Sequence, residues 1–110
     1  MAIEAGRLRE RITLQRKSVT RDAVGGEVVT WVEEAVLWAE VAPIRGREYL
    51  ALRAAQSDVV MRFRLRYRAG VNPAMRVVWN GGEYDIVEAI DVGARRTELE
   101  LLCRGAAENV

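Results

Sequence analysis

A small antiparallel β-barrel or sandwich of about six strands, with one short helix in a long inserted loop, is the fold this sequence predicts. Three observations predict it. Apolar and polar residues alternate with period two in several short runs, turn residues recur between the runs, and a single alanine- and leucine-rich stretch interrupts the pattern. The sharpest alternation is Val59 to Arg68, where Val59, Met61, Phe63, Leu65 and Tyr67 interleave with Val60, Arg62, Arg64, Arg66 and Arg68. Side chains alternate across a strand, so the apolar set enters a core and the arginines stand in a row about 7 Å apart on the other face.

Taken in order, Arg11 to Arg16 alternates with Ile12 and Leu14 on one side, and Asp22-Ala-Val-Gly25-Gly26 supplies turn residues before Val28 to Val32 resumes β character. That pattern predicts a hairpin. Asp22 with the two glycines lacks the repeated oxygen ligands of a calcium loop and the lysine and hydroxyl of a phosphate loop, so it reads as a turn. Leu37 to Ala42 is a third apolar run, ended by Pro43, which has no amide to donate to a ladder. From Ile44 to Asp58, few residues are β-branched and alanine and leucine dominate, which predicts a short helix in a connection long enough to be functional.

After the arginine strand, Ala69 to Pro73 makes a turn into Met75 to Trp79. Asn80-Gly81-Gly82 signals a tight primed hairpin, and the return strand runs from Glu83 to Ile90. The last strand, Arg96 to Cys103, puts Leu99, Leu101 and Cys103 on one face and Glu98 and Glu100 on the other, with a frayed tail from about residue 104. Trp31, Trp38 and Trp79 all sit in apolar strand contexts and are expected to fill the barrel.

The chain of 110 residues is expected to be one domain over 1–110, with a formal net charge of +1 that lacks the global basic field of a general nucleic-acid binder. It has no histidine, which removes the usual general base, the Ser-His and Cys-His pairs and imidazole zinc sites. The single cysteine, Cys103, reads as a buried thiol. Carboxylates such as Glu33, Glu34, Glu83 and Asp85 exist, but two acids in a sequence do not define a separation in space. No enzyme activity, metal or cofactor is expected, and no stretch has the pattern of a signal peptide or membrane span, so the chain reads as intracellular.

The arginine row must face water, acidic neighbours, another subunit or a polyanion. Cross-strand carboxylates for it are available in Glu98, Glu100, Glu83 and Asp85. If Arg62, Arg64, Arg66 and Arg68 instead met phosphates, four contacts would give a log-log salt slope near about −3.6.

The ordered set of features resembles a known family. Gly6-Arg7-Leu8-Arg9-Glu10-Arg11-Ile12-Thr13-Leu14-Gln15, then Trp38-Ala39-Glu40-Val41 leading into Gly46-Arg47-Glu48-Tyr49, then Arg66-Tyr67-Arg68 with Gly70 and Pro73-Ala74-Met75-Arg76-Val77, and finally Tyr84-Asp85-Ile86 before Glu98-Leu99-Glu100-Leu101, resemble the head-tail joining proteins of tailed phages, also called head closure or stopper proteins. The resemblance implies a small β-barrel with a long inserted segment. It further implies a virion neck protein, made in the host cytoplasm, that forms a ring at the head-tail junction, closes the DNA channel after packaging and offers the tail a docking surface. The implied partners are copies of itself in a hexamer or dodecamer assembled from monomers, a portal-adaptor ring, a tail terminator or first tail ring, and packaged double-stranded DNA. By the same analogy Ile44 to Asp58 is the inserted loop, with Arg45, Arg47 and Arg53 as charged contacts to DNA or neighbouring rings, and Arg47 and Glu48 equally placed to pair with adjacent copies. The alternative is a monomeric β-barrel that binds nucleic acid through Val59 to Arg68.

Overall fold

The computed structural model describes residues 5–54 and 58–105, with the side chains of Ala5, Leu52 and Arg53 outside that description. Six antiparallel strands form a closed barrel: β1 (Glu10–Arg21), β2 (Glu27–Pro43), β3 (Met61–Arg66), β4 (Arg76–Trp79), β5 (Gly82–Asp91) and β6 (Glu98–Gly105). Their order around the barrel is β1-β2-β3-β6-β5-β4. The last neighbour pair, β4 with β1, closes the sheet through Thr13↔Val78, Leu14↔Val77 and Gln15↔Arg76. One α-helix, α1 (Gly46–Ala54), lies in the connection between β2 and β3, where the composition predicts it.

Period-two alternation decides what enters the barrel. Ile12, Leu14, Ala39, Phe63, Leu65, Val77, Ile86, Leu99, Leu101 and Cys103 all point inward and are buried. Phe63 occupies the centre, edge-on to Trp79 at 6.2 Å and to Tyr84 at 5.6 Å between ring centroids. Two irregularities help the sheet curl: an extra residue in β2 opposite Leu14 and Gln15, and one in β5 between Ile86 and Glu88. Each adds local twist to its strand. The Asn80–Gly81 turn has φ of 50° and 78°, the two positive values a two-residue primed hairpin requires.

Five expectations need correction. The predicted runs 28–32 and 37–42 are one strand, β2, because no turn residue separates them. β1 likewise extends past Arg16 to Arg21, and β6 runs on to Gly105, so residues 104 and 105 belong to the sheet. The arginine strand is shorter than Val59 to Arg68; Val60 still donates to Cys103 O at 2.9 Å, but Arg68 lies beyond the ladder in an exposed turn where Gly70 has φ of 86°. Tryptophan does not fill the barrel. Trp38 is 50% exposed because it neighbours buried Ala39 and so takes the opposite face, and Trp31 faces outward across from Lys17; Trp79 alone packs against the core.

Cys103 is fully buried between Met61 and Ile86, as its spacing predicts. Burial, aided by the charge of Asp85, pushes its thiol up from 9.0 to about 12. Between those two values the unfolded chain has released a proton that the native chain keeps, so stability should fall as pH rises through that window and be indifferent to this group below it. Native protein should therefore resist iodoacetamide at pH 8 and react after denaturation, as mass spectrometry would show. In Cys103→Ala the alkaline decline in the urea midpoint should be shallower.

Candidate functional site

β3 lies between β2 and β6, so its outward residues meet neighbours from both. Arg64 stands opposite Glu40 on one side and Glu100 on the other, and Arg66 stands opposite Glu98. The outcome is a chain of ion pairs across the barrel wall. Arg62 pairs with Glu48 of α1 through Nη2, and its Nε lies 2.8 Å from Glu100 Oε1. Arg64 Nη2 donates to Glu100 Oε2 at 3.0 Å, and its Nη1 lies 3.5 Å from Glu98 Oε1. Glu98 and Glu100 are 14% and 13% exposed, so these pairs are screened less than ordinary surface bridges. Glu40 is taken instead by Arg7, which donates to both of its carboxylate oxygens at 2.6 and 3.0 Å.

The arginine row therefore divides. Arg62 and Arg64 are neutralised by carboxylates from β6 and α1, whereas Arg66 and Arg68 are exposed. Of the four carboxylates considered as partners, Glu98 and Glu100 serve; Glu83 binds Arg76 at 2.6 Å and Asp85 faces Arg104 at 4.0 Å. Two exposed arginines in place of four reduce the salt slope of a phosphate-binding face to about −1.8.

The inserted segment is anchored where it leaves and rejoins the barrel. Ile44 and Val59 are buried, and the Ile44 amide donates to Val60 O at 3.0 Å, which pinches the base of the connection. Between these anchors α1 packs substantially against no strand among the described residues. Leu50 is 67% exposed, and Arg45 and Arg47 are exposed without an ion pair among the described residues. Among the described residues, Glu48 ties the helix to the barrel through Arg62. Arg53 belongs to α1 by its backbone, and its side chain lies outside the described residues.

The structure adds one feature that the sequence analysis missed. Beyond Gln15 on β1 and before Ala35 on β2, the two strands pair only with each other and run away from the barrel as a ribbon closed by the Asp22–Gly26 turn. Asp22 Oδ1 accepts the amides of Val24 and Gly26 at 3.0 and 2.8 Å, which makes this loop a turn rather than an ion site. All residues from Arg21 to Thr30 are exposed, including Val28 and Val29, and the molecule measures 51 Å along its longest axis against 30 and 26 Å. The signal was present in the sequence: from Glu27 to Ala42 no glycine, proline, asparagine or aspartate occurs, a run too long for a small barrel's wall. At the root of the ribbon the Arg76 guanidinium lies 4.2 Å from the centroid of Trp31, and its Nε donates to Gln15 at 2.7 Å.

Among the described residues no grouping could hold a metal ion, and no helix is long and apolar enough to cross a membrane.

Comparison with known proteins gives a consistent set of likenesses. A family model described as phage head completion protein matches residues 3–106. Head completion protein gp7 of Enterobacteria phage HK97 is 32% identical over 111 residues, spanning 96% of this chain and 99% of that protein. The solution structure of protein SF1141 from Shigella flexneri 2a has a TM-score of 0.75 at 32% identity, covering 97% of this chain and all of that one. A chain in the virion of a native gene transfer agent particle shares the fold, with a TM-score of 0.61 at 17% identity over 92% of this chain.

Proposed function

Since the chain belongs to the phage head completion protein family, we propose that it is a structural protein of the virion neck. In this reading copies of it form a ring at the head-tail junction, close the DNA channel after packaging and present the surface on which the tail docks. The observation that carries it is the match to a head completion protein over almost the full length of both chains. The geometry is compatible. Arg62 and Arg64 of the arginine row are consumed in ion pairs that hold the barrel wall. A non-enzymatic role, completed by portal-side and tail-side proteins and by packaged DNA, follows from that reading.

Arg45 and Arg47 on the inserted segment are the proposed channel-facing or inter-ring contacts, because they are exposed and unpaired within the described residues, Arg45 just before α1 and Arg47 in its first turn. Replacing both by alanine is expected to leave the thermal midpoint within experimental scatter, since surface changes of this kind are worth about 0.5 kcal/mol or less. DNA retention or tail joining should nonetheless fall. A variant that fails to fold would place the segment in the core and end this assignment.

The whole reading is tested by electron microscopy of particles from a producing strain lacking the gene, with the intact gene restored in parallel. Heads that leak DNA beside free finished tails are the expected result. Normal tailed particles would refute the neck role. Submicromolar affinity of the isolated chain for free duplex at physiological salt would favour the monomeric nucleic-acid-binding alternative through the exposed Arg66 and Arg68.

A further inference from the structure

The ribbon formed by the outer halves of β1 and β2 has two free edges of opposite charge. On the β1 side, Arg16 to Arg21 has no second strand partner, because the pairing with β4 ends at Gln15; this edge carries Arg16, Lys17 and Arg21, of which Arg16 also donates to Glu34 of its own ribbon at 3.1 Å. On the β2 side, Glu27 to Trp38 has no second strand partner, because the pairing with β3 begins at Ala39; this edge carries Glu27, Glu33 and Glu34. Neither edge carries a proline, and the one bulge, at Glu34, sits at the root of the ribbon, so Arg16 to Arg21 and Glu27 to Val32 pair with each other without interruption. Val19, Val28 and Val29, all exposed, give the ribbon apolar residues on both faces.

We infer that this ribbon is the contact between copies, the β1 edge of one molecule pairing with the β2 edge of the next. Charge decides among the possible pairings. Joining β1 to β1 about a two-fold axis brings three cations against three cations, and joining β2 to β2 does the same with glutamates; β1 against β2 sets unlike charges opposite each other. Direction agrees with charge. When all ribbons point the same way along one axis, β2 of each copy runs opposite to β1 of its neighbour, so the new pair is antiparallel like every pair in the barrel. A contact between two different edges is heterologous, and repeated around an axis it closes into a ring. This inference rests on the ring proposed above and names the surface that builds it.

Lys17 is the single lysine of the chain, which makes the contact addressable in the unaltered protein. Carbodiimide treatment of assembled particles should give bands at multiples of 12.4 kDa on denaturing electrophoresis, with cross-linked peptides joining Lys17 to Glu27, Glu33 or Glu34. The bands should vanish in Lys17→Arg, which keeps the charge and loses the amine. Two charge-reversed chains supply the second measurement. Arg16→Glu/Lys17→Glu/Arg21→Glu makes both edges acidic, and Glu27→Lys/Glu33→Lys/Glu34→Lys makes both basic. Each alone should lower the yield of tailed particles at least tenfold, and expressing the two together should restore it, because unlike edges then alternate around the ring. Rescue by mixing does not arise if the defect lies within each folded chain. Normal yield with either variant alone, no rescue on mixing, or cross-links that miss a second copy while averaged images still show a ring would overturn the ribbon contact and spare the ring. Images with no ring of copies at the junction would overturn both.

Discussion

Phe63→Ala is expected to cost about 3–5 kcal/mol, the range for deleting a buried aromatic ring. Phe63 has no exposed surface and touches Trp79 and Tyr84 edge-on, so truncation removes its apolar transfer energy and both ring contacts and leaves a void at the barrel's axis. The surrounding wall is a closed hydrogen-bonded sheet, and such a wall cannot collapse inward as readily as a layer of helices. Small domains hold only about 5–15 kcal/mol in total, so the variant should sit near its unfolding threshold at 37 °C. A urea titration followed by tryptophan fluorescence measures this directly. Phe63→Leu, which keeps most of the volume, should lose less than about half as much; equal losses would mean that shape rather than burial holds the centre.

Glu100→Ala should have the second largest effect, about 2 kcal/mol. Its two carboxylate oxygens lie 2.8 Å from Arg62 Nε and 3.0 Å from Arg64 Nη2, and removing them leaves two guanidinium groups in a partly desolvated patch with only Glu48 and Glu98 as counter-charges. Breaking a fully buried pair costs about 3–5 kcal/mol, and the figure is lowered here because Arg62 and Arg64 are 22% and 31% exposed. Arg64→Met combined with Glu100→Leu should recover much of the loss, since an apolar pair needs no counter-charge. Failure of that double variant to recover stability would indicate that the charges hold register rather than energy.

Most of the barrel is legible in the sequence because burial of one sheet face writes itself as period two. Ile12 and Leu14, Phe63 and Leu65, and Leu99, Leu101 and Cys103 are each assigned correctly from alternation alone. Alternation fails for Trp38, whose neighbours on both sides are apolar, so that parity must be set by the register with Arg11 rather than by the run itself. It fails also for the length of β2, since nothing in a continuous β run marks where the barrel wall ends and the ribbon begins. The inserted helix is legible from its lack of β-branched residues. What α1 reaches is not, because Glu48 meets Arg62 through the closing of the β2–β3 connection, a long-range event with no local pattern. For the same reason the sequence offers four carboxylates for the arginine row, while the barrel's order of strands, which puts β6 beside β3, selects two.

Closure of the barrel depends on three residue pairs between β1 and β4, and β4 itself is only four residues long. Every other strand boundary is longer or is flanked by a hairpin. The closing pairs join residues 13–15 to residues 76–78, contacts that a folding chain can make only after most of its length is in place. The seam is thus expected to be the last part of the wall to form and the first to open. Amide exchange should show this as a sub-global unzipping confined to Thr13–Gln15 and Arg76–Val78, at a free energy below that of the β3–β6 boundary.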